Sequence, residues 1–542
     1  MQIKISLKGR GEMKNFWKKT SLFLVTTAMT VSAPLMAWAL EHDIVILHTN
    51  DIHCGINDHL GFAGVAQLKK DALARTPNVA LVDAGDAIQG APIGKLSTGM
   101  AVVDIMNAVG YDFCIPGNHE FDYGMQRFLE LVPKQKAGYY SANFIDLRTH
   151  KQVLSGYKIL QFEDKKVAFV GVTTPETLSS STPAFFQNEQ GKYIYTFCED
   201  KSGKKLYKQL QKNIDAVRKQ GADYVFIVGH LGMNGSTKQW NSENIAKNTL
   251  GVDGIIDGHS HEKFERVVQN KKGKDVLLAQ TGTKLKSVGQ LVITPEGKLQ
   301  TKLLTETNGK DAAVQKVIAQ EMAIYDPLLK QPVGEALVTL HSYDPQTGKR
   351  IVRTHECALG DFVADAYKAV LNRDVAFVNG GNVRNEIKQG VVTYNDILES
   401  FPFGNECCVL KVKGSAILDA LEMGAASYPE ENGGFLQVAG LQYTINSQVP
   451  SGVVFDTKGC FVKVDGKRRV ENVLIGGKPL DVNKEYTVGG TAYMLKFAGD
   501  GMTMFKGAQL VQNGGMAEVD AILDYVQNHL NAKIGEQYAN AY

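Results

Sequence analysis

Five short apolar runs between residues 44 and 261 each break into a polar cluster, and this repetition limits the fold more than any other feature. "IVIL" (44–47) leads to "HTNDIH", "VALV" (79–82) to "DAGD", "DFCIP" (112–116) to "GNHEFD", "YVFIV" (224–228) to "GHLG" and "GII" (254–256) to "DGHSH". Short runs rich in Val and Ile and closed by Gly are the pattern of buried strands. Helical patterns fill the gaps, as in "AGVAQLKKDALART" and "KSGKKLYKQLQKNIDAVRKQG". Strand and helix in alternation predict an α/β domain whose sheet carries helices on both faces. Ligands of such a sheet collect beyond the carboxyl ends of its strands, the edge that all five polar clusters occupy.

The texture changes near 306–333. There "NGKDAAVQKVIAQEMAIYDPLLKQPVG" reads as one helix with apolar positions at helical spacing, stopped by Pro327 and Pro332. It follows a last strand-like pair near 276–303 and predicts a linker between a first domain at 42–305 and a second at 334–535. A chain of 542 residues is long enough for both. The second domain mixes helices ("LGDFVADAYKAVLN", "GSAILDALEMGAAS") with short strands and three Asn-Gly-Gly turns at 379, 432 and 513.

Residues 1–39 carry an export signal. From Met13, the basic residues Lys14, Lys18 and Lys19 precede the apolar "SLFLVTTAMTVSAPLMAWA", which ends in the small-x-small triplet Ala37-Trp38-Ala39. Cleavage is expected after Ala39, leaving an exported protein without stable membrane insertion. An uncleaved anchor is the competing reading, because the run nears the roughly 20 residues that span a bilayer; Pro34 and the Ala-x-Ala ending favour cleavage. A formal charge of +2 gives no global attraction for nucleic acid, so any bound anion must be held locally. Seven cysteines without a C-x-x-C pair indicate neither a disulfide framework nor a zinc ribbon. Cys54 is expected to point away from its neighbour His53, and the adjacent Cys407 and Cys408 are expected as one buried and one exposed thiol.

Asp51 and His53 alternate with Ile52, so on an extended backbone they share a face and suit a shared ion. Asp86 ends the second cluster, Asn118 and His119 the third, His230 the fourth, and His259 and His261 the fifth. Carboxylate, amide oxygen and imidazole without thiolate favour Zn, Mn, Fe, Co or similar ions over a structural cysteine site. Seven ligands exceed what one open catalytic ion needs. They suit two divalent ions about 3.5 to 4 Å apart, with Asp86 the most plausible bridge. A lone His after a strand is ordinarily structural, but five strand ends so furnished, in a chain with 12 histidines, make a common site the stronger reading.

In this order "TNDIH", "GD", "GNHEFDYG", "GHLG" and "GHSH" resemble the calcineurin-type metallophosphatases, specifically the 5'-nucleotidase and UDP-sugar hydrolase family. "ALGDFVADA", "NGGNVR", "FPFGN", "GFLQVAGL" and "AGDG" resemble that family's C-terminal nucleotide-binding domain. The resemblance implies a four-layer metallophosphoesterase β-sandwich flanked by helices, plus a smaller α/β domain. It implies that Asp51, His53 and His261 bind one ion, that Asn118, His230 and His259 bind another, and that Asp86 is shared. Asp122 would orient a protonated His119 that stabilises charge on the phosphate. Arg353, Asn379 and Arg384 match positions that hold phosphate or ribose, Phe403 matches an aromatic that stacks on the base, and Asp500 matches a ribose or base acceptor. The chain departs where a second stacking Phe is expected: Met494 stands there, and Tyr493 is taken as the partner, with Phe497 close by.

The implied activity is hydrolysis of nucleoside 5'-monophosphates, with di- and triphosphates within reach, to nucleoside and phosphate in the periplasm or at the cell surface of a bacterium. UDP-sugar pyrophosphatase and 2',3'-cyclic phosphodiesterase or 3'-nucleotidase activities share the chemistry. A nucleotide-binding surface protein without turnover is the reading from another class, and intact Asp86, His119 and Asp122 speak against it.

Overall fold

The computed structural model describes residues 41–234 and 237–539, so the expected export signal lies outside the described residues. Among the described residues no helix is long and apolar enough to cross a membrane.

The first half contains two stacked sheets rather than the single sheet that the alternation suggested. In one, strands Leu299–Leu304, Val288–Ile293, Ile44–Thr49, Val79–Asp83 and Phe113–Cys114 lie in that order, the last three parallel. In the other the order is Lys263–Gln269, Asp275–Thr281, Gly254–Ile256, Tyr224–His230, Lys165–Thr173 and Tyr157–Phe162, with the four middle strands parallel. Period-two alternation explains the stacking. Ile44 and Ile46, Ala80 and Val82, Val167 and Phe169, and Phe226 and Val228 form one dry core between the sheets. Their alternate neighbours face outward. Val45, Leu47, Val79 and Leu81 meet Phe62, Val65 and Val102 of helices Gly61–Leu73 and Met100–Val109, while Val170, Val225 and Ile227 meet Leu206, Leu210 and Ile214 of Lys204–Lys219. Helices therefore cover only the outer face of each sheet, which gives four layers. A strand that is apolar on both faces needs two covers and cannot itself specify whether the second is a helix or another sheet. Each large side chain so buried contributes roughly 1.5–3 kcal/mol, which favours either solution over an open face.

The second half does carry helices on both faces of one sheet. Strands Leu436–Ala439, Val375–Asn379, Glu485–Thr491, Glu406–Lys413 and Gln509–Ala517 lie side by side. Phe362 and Val363 of helix Ala358–Leu371 cover Val378 and Val409, and Ile417 and Leu421 of Gly414–Gly424 cover Phe377 and Leu410. Glu406–Lys413 is an interior strand with a core on each face, so Cys407 and Cys408 are both fully buried, one toward each core, rather than one being exposed. The Asn513 triplet is no turn. It lies inside a strand as a bulge with a register shift, where Gly514 and Gly515 take φ of 59° and 85°.

Helix Ala312–Leu329 joins the halves. Asp311 caps it by accepting a bond from the Val314 amide at 2.9 Å. Pro327 lies within its last turn instead of stopping it, and Pro332 opens a strand, Pro332–Ala336. Val314 and Ile318 pack into the first half and Leu329 into the second, so the helix is shared by both cores.

Candidate metal centre and substrate pocket

Each polar cluster follows a parallel strand and emerges at one edge of the double sheet. The loop after Ile44–Thr49 carries Asp51 and His53, that after Val79–Asp83 carries Asp86, and that after Phe113–Cys114 carries Asn118 and His119. His230 is the last residue of its own strand, and His259 and His261 follow Gly254–Ile256. The backbone there is not extended. Asp51, His53, Asp86, His259 and His261 all have positive φ, between 47° and 80°, a region that L residues rarely occupy. Asp51 and His53 therefore meet through left-handed kinks and not through strand alternation.

The donors converge. His230 Nε2 lies 3.0 Å from Asp86 Oδ2 and 3.9 Å from Asp51 Oδ1. His53 Nε2 is 3.9 Å from Asp86 Oδ2 and 4.0 Å from Asp51 Oδ1. His261 Nε2 is 3.4 Å from Asp51 Oδ1 and 3.0 Å from His53 Nε2. Two groups have the size of an ion site: Asp51 with His53 and His261, and Asp86 with His230 and His259. Asn118 Oδ1 is buried without a hydrogen-bond partner among the described residues, as an amide oxygen awaiting a cation would be. Tautomers agree with ligation. His230 Nδ1 donates to the Ala84 carbonyl at 2.8 Å and His53 Nδ1 to the Gln89 carbonyl at 3.0 Å, which frees each Nε2. The donor set fits a pair of divalent ions.

Without a cation the imidazoles themselves supply countercharge: burial would lower the His230 imidazole, but the Asp86 carboxylate beside it pushes it up to about 10. Burial pushes the Asp51 and Asp86 carboxyls up, but His261 beside Asp51 and His230 beside Asp86 outweigh it, so both remain anionic. Burial, reinforced by His261, lowers the His53 imidazole well below its ordinary value and keeps it neutral, as a ligand must be.

Sequence reasoning missed the groups that fix these loops. Glu120 is buried and accepts amide bonds from Asp86 and Ala87 at 2.8 Å and from Gly117 at 2.6 Å, tying the second cluster to the third. Burial, then the Asp86 charge, pushes its carboxyl up to about 7. Asn50 donates to Asp51 Oδ2 at 2.6 Å and accepts from the Thr281 amide at 2.8 Å. Glu120 stood beside His119 in a quoted motif and was readable; Asn50 had no signal beyond adjacency.

His119 Nδ1 and Asp122 Oδ2 are 2.6 Å apart, and Ser181 Oγ donates to the other Asp122 oxygen at 3.1 Å. The pair sits on a 3-10 turn, His119–Phe121, and not on an α-helix. Helix Met125–Leu131 starts only after Gly124, so Asp122 is not its N-terminal acid. Burial would lower the His119 imidazole, but the Asp122 and Asp86 carboxylates raise it.

Residues 44–263 match the calcineurin-like phosphoesterase family, and residues 332–507 match the 5'-nucleotidase C-terminal domain. The chain belongs to the calcineurin-like metallophosphatases with a 5'-nucleotidase C-terminal domain. Membership makes it a metal-dependent phosphoric monoester hydrolase. It is 27% identical to a snake venom 5'-nucleotidase of Crotalus adamanteus over 93% of this chain and 90% of that protein. A 5'-nucleotidase of Rattus norvegicus is 26% identical over 92% and 90%. Among solved structures, a 5'-nucleotidase precursor from Thermus thermophilus superposes with a TM-score of 0.75 at 26% identity, covering 91% of this chain and 97% of that one.

The nucleotidase-domain half turns a pocket toward the metallophosphatase centre. The Phe403 ring lies 5.8 Å from the His119 ring, and the Arg384 guanidinium lies 5.2 Å above Phe403. Phe401, two residues earlier, is the fully buried core residue, which leaves Phe403 half-buried at the site. Asn379 Nδ2 donates to Asp500 Oδ2 at 2.7 Å and the Tyr493 hydroxyl to Asp500 Oδ1 at 3.1 Å. Met494 is fully buried in the core of this half, Tyr493 is half-buried beside Asp500, and Phe497 is half-buried with the Lys496 ammonium 5.0 Å over its ring. Burial, with Arg350 and Arg384 nearby, pushes the Arg353 guanidinium down to about 9, so cations accumulate here beyond what Glu431 and Asp500 offset. Arg350, also missed, donates from Nε to Glu431 at 2.8 Å. Cys54 is buried, and burial pushes its thiol up to about 12, which makes it inert.

Behind the pocket lies Glu518, absent from the expected set. Fully buried, it accepts from Asn382 Nδ2 at 2.8 Å, the Tyr367 hydroxyl at 3.1 Å and the Asn405 amide at 3.3 Å. Asn382 and Asn405 are the last asparagines of "NGGN" and "FPFGN", so one carboxylate ties together the loops that carry Arg384 and Phe403.

Proposed function

We propose that the protein is an exported two-metal 5'-nucleotidase that cleaves nucleoside 5'-monophosphates to nucleoside and phosphate. It would work as two domains, 42–305 and 334–535, about the helix between them. The observation that carries this reading is the 5.8 Å approach of Phe403 to His119, which sets a base platform and a guanidinium against the dyad and the ion site. Asp51, His53 and His261 would hold one ion, Asn118, His230 and His259 the other, and Asp86 both; when bound, such ions supply Lewis acidity to phosphate oxygens and acidify water.

The chain's own residues do the rest. Asp122 takes the His119 Nδ1 proton as a hydrogen bond, which leaves Nε2 to face the phosphate and stabilise charge as the ester oxygen leaves. Arg384 and Arg353 offer planar forks that bond phosphate in two places. Phe403 presents a ring face to the base, a contact that tolerates any base, and Asn379 and Asp500 offer polar atoms to the sugar. Phosphate release from a panel of nucleoside monophosphates, UDP-glucose and a 2',3'-cyclic nucleotide, with and without chelator, tests the reading. Monophosphates should be hydrolysed fastest and chelator should abolish the activity. Faster cleavage of either other substrate, or turnover that survives chelation, would overturn it.

A further inference from the structure

The short segment from Glu176 to Ser181 touches three parts of the site that no chain neighbourhood would bring together. Glu176 Oε2 lies 3.1 Å from His259 Nε2. Ser181 Oγ donates to Asp122 Oδ1 at 3.1 Å. Between them, the Ser179 carbonyl lies 3.4 Å from the Tyr493 hydroxyl of the other half, the same hydroxyl that donates to Asp500. The single helical turn Thr177–Ser180 fixes the spacing, closed by bonds from the Ser180 amide to the Glu176 carbonyl at 2.8 Å and from the Thr177 hydroxyl to the Thr174 carbonyl at 2.7 Å.

We propose that Glu176–Ser181 is a positioning device that sets His259 and Asp122 in register with the docked second half. Glu176 accepts the His259 Nε2 proton and so turns Nδ1 toward the ion, the carboxylate–histidine arrangement that fixes a ligand's tautomer. Ser181 holds the Asp122 oxygen that His119 does not use, which stops the carboxylate from rotating away from the imidazole. Both act through another residue, Glu176 through His259 and Ser181 through Asp122. The proposal rests on the assignment of His119 and the ion site above, and its test keeps the two apart.

The experiment compares Ser181→Ala, Ser181→Thr, Glu176→Ala and Glu176→Gln with His119→Ala, using adenosine 5'-monophosphate and cobalt(II)-loaded protein. Ser181→Ala should lower kcat about three- to tenfold, the worth of one hydrogen bond, with KM and the cobalt absorption spectrum unchanged, and Ser181→Thr should restore it. Glu176→Ala should weaken retention of one cobalt ion about 10- to 100-fold and alter the spectrum, with Glu176→Gln intermediate. Wild-type kcat in Ser181→Ala, or an unchanged spectrum and ion affinity in Glu176→Ala, overturns the proposal. If His119→Ala is impaired while those two are silent, the positioning role alone falls; a fully active His119→Ala removes the assignment beneath it as well.

Discussion

His48 offers the sharpest test of how the double sheet is held together. It lies on the strand that delivers Asp51 and His53, facing the inter-sheet core with Ile44 and Ile46, fully buried and with neither ring nitrogen hydrogen-bonded among the described residues. Its cross-strand partner is Gly289, where a Cβ would fall 1.9 Å from His48 Nε2, so only glycine leaves room for the ring. Burial pushes the imidazole down to about 3 from an ordinary 6.5. A depressed histidine favours folding fully above pH 6.5 and progressively less below it, because the unfolded chain takes up a proton that the fold refuses. At pH 5 the unfolded state is ahead by about 1.5 pH units of binding, or about 2 kcal/mol; at pH 7.5 the term is close to zero. His48→Leu removes the titration while keeping an apolar side chain of similar size. Urea unfolding of metal-stripped wild type and variant should therefore show the variant gaining about 2 kcal/mol relative to wild type between pH 7.5 and pH 5. The other histidines cancel in that difference. Parallel loss of stability in the two proteins would show that the ring is solvated or paired and would refute the argument.

His119→Ala should cut kcat by about 10²- to 10⁴-fold while metal content, measured by elemental analysis, stays at the wild-type value; loss of both together would make His119 a ligand. Phe403→Ala removes a stack worth about 1–3 kcal/mol, so KM should rise about 5- to 150-fold for adenosine and uridine monophosphates alike, and unchanged KM for both would deny it the base. Glu518→Ala strands Asn382 and Asn405 beside a buried void and should lower unfolding stability by about 1–3 kcal/mol, read by calorimetry, with a raised KM as the Arg384 and Phe403 loops loosen. A variant as stable as wild type would mean that water replaces the carboxylate.

The place of the candidate ligands was legible because divalent ions call for those residue types, and the strand-end rule told where to look. Asp51, His53, Asp86, Asn118, His230, His259 and His261 all lie at the expected edge. The layers were less legible: Val45 and Ile46 are equally apolar, and nothing local says that one meets a helix and the other a sheet. Contacts between distant loops were not legible at all. Ser181 and Asp122 are 59 residues apart and Glu518 and Asn382 are 136 apart, and a serine or glutamate in such places is unremarkable until the chain is folded. The same limit explains Cys408, whose strand gains a partner in the distant Gln509–Ala517 and whose side chain joins the core with Ile417 and Leu421.

Backbone strain connects the centre to stability. Five ligand-type residues, Asp51, His53, Asp86, His259 and His261, hold left-handed φ without being glycine, a conformation that costs on the order of 1–3 kcal/mol each. The sum is comparable to the whole stability of an ordinary domain, about 5–15 kcal/mol, so the surrounding bonds must offset it: Asn50 and the His259 amide on Asp51, the His119 amide on Asp86, and Glu120 beneath the loop. Those bonds hold the two carboxylates and four imidazoles close before any cation arrives, leaving the Asp51 and Asp86 carboxylates to repel one another. A divalent cation added to stripped protein should therefore stabilise it by mass action alone, about 2.7 kcal/mol at a hundredfold excess over Kd, and calorimetry in rising manganese should show the unfolding temperature climbing and then continuing with the logarithm of concentration. Asp86→Asn, which keeps the shape and removes the shared charge, should flatten that climb. An unfolding temperature indifferent to manganese in the wild type would mean that the strained loops are held for some purpose other than seating ions.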